Sequence, residues 1–231
     1  MSTSTPLSVE FTVEAEDPLV PAPERITALL AGAPWQRFAV LGDSIAAGTG
    51  DRSPGYAPTG WADRVAANLT SVNPTLAYRN TGRIGATSGQ VIDRQLSEIL
   101  DFAPDLVHVS CGGNDLFTAG GNVDQLRENL STIFTALAAT GAQLSIFTMA
   151  DVWDVERMAP MRPMRSQMMA LNEVLRAVAD EFDAVITEFW THPLRSRPEL
   201  MSADLIHFTT SGHAVVAGEV ARSLAARIDR A

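Results

Sequence analysis

The sequence predicts an α/β fold in which a five-stranded parallel sheet carries helices on both faces. Three observations support this. From Trp35 onward, short apolar runs alternate with amphipathic segments of helical period. The chain has 231 residues, 46% of them apolar, which allows one domain with a sizeable core. Strands and helices that alternate in this way have few arrangements open to them besides right-handed crossovers into a parallel sheet.

Residues 1–35 stand apart as an N-terminal extension to a domain at 36–231. Between Leu7 and Glu24 lie five acids, three prolines and no arginine. The alternation over Ser8–Val13 predicts a short strand, and Glu24–Leu30 a short helix after a Pro-marked connection. Arg37–Leu41 is an apolar run ending at Gly42, the mark of a buried strand. Trp61, Val65 and Leu69 fall four apart and predict a helix. Leu76–Arg79 is a second strand. Val91, Gln95, Leu96, Ile99 and Leu100 share a helical face that ends before Pro104. Leu106–Ser110 is a third strand. Leu126, Leu130, Ile133, Phe134 and Leu137 place a helix over Val123–Leu137. Leu144–Thr148 is a fourth strand, Met164–Phe182 a helix, Ala184–Thr187 a fifth strand and His213–Ile228 a closing helix.

Composition narrows the function. The net charge is 17 − 27 = −10, with no basic block, which argues against nucleic acid or an anionic membrane as partner. Every cation is arginine, so Schiff-base lysine chemistry and the lysine-bearing phosphate loop are excluded. One cysteine, Cys111, can form no internal disulfide and no cysteine-rich metal site. The first residues lack a basic-then-apolar leader, and no apolar run approaches the ~18 residues of a membrane span. The expectation is a cytoplasmic protein whose acidic 1–35 arm is a candidate for exchange in a homodimer.

In open parallel sheets, ligands bind beyond the carboxyl ends of the strands. Gly42-Asp43-Ser44 follows the first predicted strand and Asn80 to Thr87 the second. Gly112-Gly113-Asn114-Asp115 follows the third, and the loop after the fifth ends in Asp204-Leu205-Ile206-His207. Ser44 is placed to expose its hydroxyl. A hydroxyl is a poor nucleophile until a base takes its proton, and His207 is the natural base. Asp204, three residues earlier, can hold the imidazole tautomer. The backbone N–H groups of Ser44 and Gly85, with the Asn114 amide, can receive an oxyanion.

Ser44 in GDS, Gly85 in NTGRIGAT, Asn114 in GGND, and Asp204 with His207 in DLIH resemble the four blocks of the SGNH (GDSL) hydrolase family, in its order and spacing across residues 38–213. The resemblance implies a flavodoxin-like three-layer α/β/α sandwich. It also implies serine as nucleophile, Gly and Asn as oxyanion donors, a histidine that serves as base and acid, and no metal or organic cofactor. Ile45 stands where the family name has leucine. The expected function is hydrolysis of a small-molecule carboxylic ester. Acyl transfer to an alcohol, and lysophospholipase or thioesterase activity, are the alternatives.

Other residues have competing readings. Asp204, His207 and His213 could be metal ligands, but nothing suggests a fourth. His108, amid Leu106, Val107 and Val109, reads as a hydrogen-bonded core histidine, and Cys111 as a small buried residue. The six methionines from Met149 to Met169 read as core packing or as an adaptable apolar wall for substrate. On the second reading Trp153 and Met158 contact substrate, with Trp190 on the opposite wall. Arg83 is a candidate fork for an anionic or sugar-like group.

Overall fold

The computed structural model describes residues 11–117 and 121–229. In chain order, helices α1 (Thr12–Glu16) and α2 (Pro23–Leu29) precede strand β1 (Arg37–Gly42), helix α3 (Trp61–Val72) and strand β2 (Ala77–Asn80). Helices α4 (Ser88–Val91) and α5 (Ser97–Phe102), joined by a π-helical segment Ile92–Leu96, lead to β3 (Leu106–Ser110). Helices α6 (Gly113–Phe117) and α7 (Val123–Ala138) then lead to β4 (Gln143–Phe147). A 3-10 stretch Glu156–Met164, α8 (Arg165–Glu181), β5 (Val185–Thr187) and α9 (Thr210–Ile228) complete the chain. The sheet is wholly parallel in the order β2-β1-β3-β4-β5. Helices α2, α3 and α9 pack together on one face, and α4, α7 and α8 on the other. This is the flavodoxin-like α/β/α sandwich that the sequence predicts.

The central strands β1 and β3 are largely apolar because both of their faces are covered. Phe38–Leu41 and Leu106–Val109 are buried without a break, whereas edge strand β2 is only half-buried. His108 is the one polar member of that run. Its Nδ1 lies 2.9 Å from Ser145 Oγ, and burial pushes its pKa down to about 3, so it stays neutral in the core. Ile26 and Leu30 add residues N-terminal to β1 to the same core.

One local expectation is overturned. Thr12 and Val13, the end of the strand predicted over Ser8–Val13, belong instead to the helix Thr12–Glu16; residues 8–10 lie outside the described residues. The cause is tertiary. The Glu14 carboxylate accepts both Nη atoms of Arg64 on α3 (2.6 and 2.9 Å) and the Ala57 N–H (2.9 Å), which fixes the turn against the domain.

Candidate active site

Ser44 follows β1 through a turn that only glycine can open. Gly42 has φ +144°, and a Cβ there would fall 1.9 Å from the Ser110 carbonyl oxygen. Its peptide groups are held from an unexpected direction. The buried Gln95 amide accepts from Gly42 N–H (2.9 Å) and donates to Gly42 C=O (2.8 Å). Gln95 belongs to the π-helical segment, a local widening found often beside functional sites. In the sequence Gln95 is one more member of a helical face, and a glutamine among apolar positions is the signal that marks it. Beyond the turn, the Ile45 N–H donates to Asp43 Oδ1 (2.9 Å), so Asp43 caps this bend.

His207 reaches Ser44 from a loop between β5 and α9. This loop is pinched by an antiparallel bridge between Met201 and Phe208. At its tip Asp204 Oδ1 accepts the N–H groups of Ile206 (2.9 Å) and His207 (3.1 Å). Leu205 between them is left-handed at φ +61°, a conformation unfavourable for a side chain with a Cβ and here held by its neighbours. Asp204 Oδ2 is 2.6 Å from His207 Nδ1, and His207 Nε2 is 2.7 Å from Ser44 Oγ. Burial works against the charge on Asp204, but hydrogen bonds from the His207 ring and from two backbone N–H groups outweigh it and hold its pKa below the usual value. Asp204 is therefore a pure acceptor at neutral pH, Nδ1 carries the ring proton, and Nε2 presents its lone pair to the Ser44 hydroxyl.

Two further loops converge here. The Arg83 N–H donates to Gly42 C=O (3.1 Å), which lays residues 83–86 beside the serine turn. Gly85 is needed for its φ of +75°, since a Cβ there would meet nothing within 4 Å. Asn114 on α6 donates from Nδ2 to Ala86 C=O (3.0 Å), leaving one amide hydrogen over. Asp115 accepts the Ser88 N–H (2.9 and 3.1 Å) at the start of α4, beside the Thr87 cap, and so ties the two loops together. The N–H groups of Ser44 and Gly85 donate to no acceptor among the described residues.

Beside Ser44 opens a cavity of about 90 Å³. Its walls include Met149, Trp153, Met158, Met161 and Met168 after β4, Asn114 and Phe117 on α6, and Leu205 and Ile206 beside His207. Trp153 and Met158 thus stand where the substrate-wall reading puts them. Met164 packs against the core and Met169 is exposed, so neither lines the cavity.

Arg83 and Trp190 do not line the cavity either. Arg83 is exposed, and the Trp190 ring lies 5.6 Å from the Arg165 guanidinium, which is paired with Asp151. His213 is buried on α9 within hydrogen-bond reach of Thr49 C=O (3.2 Å), and burial pushes its pKa down to about 4. Cys111 is buried, and burial raises its thiol well above the usual range. Among the described residues no group of three or more His, Cys, Asp and Glu is placed to hold a metal ion, and no helix is long and apolar enough to cross a membrane.

Asp43 is 5% exposed, and burial pushes its pKa up from 3.8 to about 7, against the opposing pull of two backbone N–H groups and His207. A carboxyl raised in this way favours the folded state fully below pH 3.8 and loses that contribution as pH climbs through 7. The whole change is roughly 4 kcal/mol. Asp43→Asn is therefore expected to gain in Tm relative to the parent as pH rises from 4 to 8, read by thermal melts. An unchanged gap across that range would mean that Asp43 ionises as it does in the unfolded chain.

The model of the GDSL-like lipase/acylhydrolase family matches residues 40–215. Among solved structures, the lipase/acylhydrolase from Enterococcus faecalis is 23% identical, with 83% of this chain and 96% of that chain covered at a TM-score of 0.65. The acetylxylan esterase Axe2 from Geobacillus stearothermophilus is 20% identical, with 84% and 94% covered at a TM-score of 0.67. TesA is 24% identical, with 82% and 98% covered at 0.63. At these identities the likeness is one of fold. No curated protein sequence matches the chain.

Proposed function

Because this chain belongs to the GDSL-like lipase/acylhydrolase family and is a hydrolase, we propose that it is a serine esterase cleaving small-molecule esters of short acyl groups. The observation that carries the reading is the chain of contacts from Asp204 through His207 to Ser44, at 2.6 and 2.7 Å. In this mechanism Ser44 Oγ attacks the ester carbonyl carbon while its proton passes to His207 Nε2. The carbonyl oxygen takes the negative charge and is received by the N–H groups of Ser44 and Gly85 and the spare amide hydrogen of Asn114. The C–O bond to the alcohol breaks, and the proton on Nε2 goes to the departing oxygen. Water repeats the sequence on the acyl-enzyme: its proton goes to Nε2, the acid leaves, and the proton returns to Oγ. Asp204 stays ionised and stabilises the imidazolium.

The cavity supports the short acyl group. About 90 Å³ is well below the ~300 Å³ at which pockets for drug-sized ligands begin. Its methionines can rearrange, but a long chain must lie outside. Initial rates on p-nitrophenyl esters from acetyl to octanoyl test this. We expect kcat/KM to peak between acetyl and butyryl and to be about tenfold lower at octanoyl. An optimum at octanoyl would refute the short pocket, and no turnover of any ester would refute the esterase.

A further inference from the structure

Residues 11–39 precede the segment matched by the family, yet they carry the most heavily bonded buried carboxylate among the described residues. Asp17, with a side chain 1% exposed, accepts from Arg197 Nη1 (2.8 and 3.0 Å), Tyr56 OH (2.7 Å) and the Leu19 N–H (2.9 Å). Three residues earlier, Glu14 is bound to Arg64 and to the Ala57 N–H, and its own N–H donates to Gly55 C=O (3.1 Å). Residues 14–19 are thus fastened to two loops at once. One contains Gly55, Tyr56 and Ala57 and runs on from the Ser44 turn. The other begins at Arg197 and holds Asp204 and His207 at its tip.

Arg197 sits at the root of that second loop. Its Nε donates to Glu199 Oε1 (2.6 Å), and its C=O accepts the Leu200 N–H (3.1 Å). Leu200 C=O in turn accepts the Thr209 N–H (2.9 Å), and Glu199 C=O the Thr209 hydroxyl (3.0 Å), which closes the root. The loops also meet directly: Asp51 accepts the Ala203 N–H (2.7 Å), and the Asp51 N–H donates to Ser202 Oγ (2.8 Å).

From this arrangement we propose that residues 14–19 are a strap that sets His207 against Ser44, with Asp17 as the positioning residue. The proposal rests on the reading of Ser44 and His207 as the reacting pair. The strap touches neither side chain. It joins the two loops that bring them together, and a displacement of about 1 Å between reacting groups can cost about 100-fold in rate. The ion pair is well placed for this because it is buried at the Asp17 end and anchored to a second carboxylate at the Arg197 end. An exposed pair would tolerate slack.

Asp17→Asn keeps the shape and removes the charge. We expect kcat for p-nitrophenyl acetate to fall about tenfold with KM within about twofold, because Met201, Leu205, Ile206 and Phe208 alone carry the strapped loop into a cavity walled mainly by residues 149–168 and α6. Asp17→Glu should recover part of kcat. Tyr56→Phe removes one of the bonds to the same carboxylate and should lower kcat in the same direction by less, so the test survives if Asp17→Asn folds poorly. Variants that lower Tm yet retain the parent kcat below their melting range would reduce the strap to a stabilising contact and overturn the proposal. So would a loss carried by KM, or a loss that Asp17→Glu does not recover at all. Failure of the parent protein to turn over the ester would instead strike the esterase reading, before any variant is compared.

Discussion

Ser44→Ala is expected to lower kcat/KM for p-nitrophenyl acetate by about 10⁴-fold or more while leaving Tm within a few degrees of the parent. The size follows from what the hydroxyl does. Without Oγ no acyl-enzyme forms, and what remains is water attacking an ester held by the oxyanion donors and the cavity. The small change in Tm follows from what the hydroxyl touches. Among the described residues its side-chain partner is His207 Nε2 at 2.7 Å, and the His207 side chain is 13% exposed, so water can take the place of the lost group. His207→Ala should cost about as much as Ser44→Ala, and the double variant little more than either, because the two groups act as one unit. Rates and melts on the three proteins decide the matter. A Ser44→Ala protein retaining a tenth of the parent activity would remove Ser44 from the mechanism.

Three parts of this site legible in the sequence, Ser44, Gly85 and Asn114, share one property: each lies within a few residues of a strand's end. Strands show themselves by apolar runs and turn residues, so Ser44, Gly85 and Asn114 could be placed on one edge of the sheet from local signals alone. Asp204 and His207 were legible for a second reason, since three residues of separation let them meet without knowledge of the fold. What depends on side-chain direction was not legible. Arg83 and Trp190 neighbour site segments in sequence, but one is exposed and the other stands beside Arg165, off the cavity. What depends on distant pairing was also hidden. Nothing near Asp17 announces Arg197, 180 residues on, and nothing in Thr12–Glu16 announces that Arg64 will hold it as a helix. Gln95 lies between these cases: its polarity on an apolar face was visible, but its reach to Gly42 needed the π-helical turn.

Asn114→Ala is the second large effect, and its interest lies in separating two roles that the geometry gives one side chain. The amide nitrogen holds Ala86 C=O at 3.0 Å with one hydrogen and has another to offer. If the spare hydrogen meets the oxyanion, its loss is felt only as charge develops, and kcat should fall by about 10²–10³-fold with KM nearly unchanged. If the amide merely tethers the Gly85 loop, the loss should be modest, because Asp115 still holds Ser88 two residues further along. The unfolding free energy should drop by no more than one hydrogen bond's worth, about 1 kcal/mol, on either account. Asn114→Asp sharpens the distinction. It matches the amide in shape but has no donor when ionised, and it sets a negative charge where one must form, so it should be at least as slow as alanine. A variant in which KM rises while kcat holds would assign Asn114 to the loop and leave the oxyanion to the two backbone N–H groups alone.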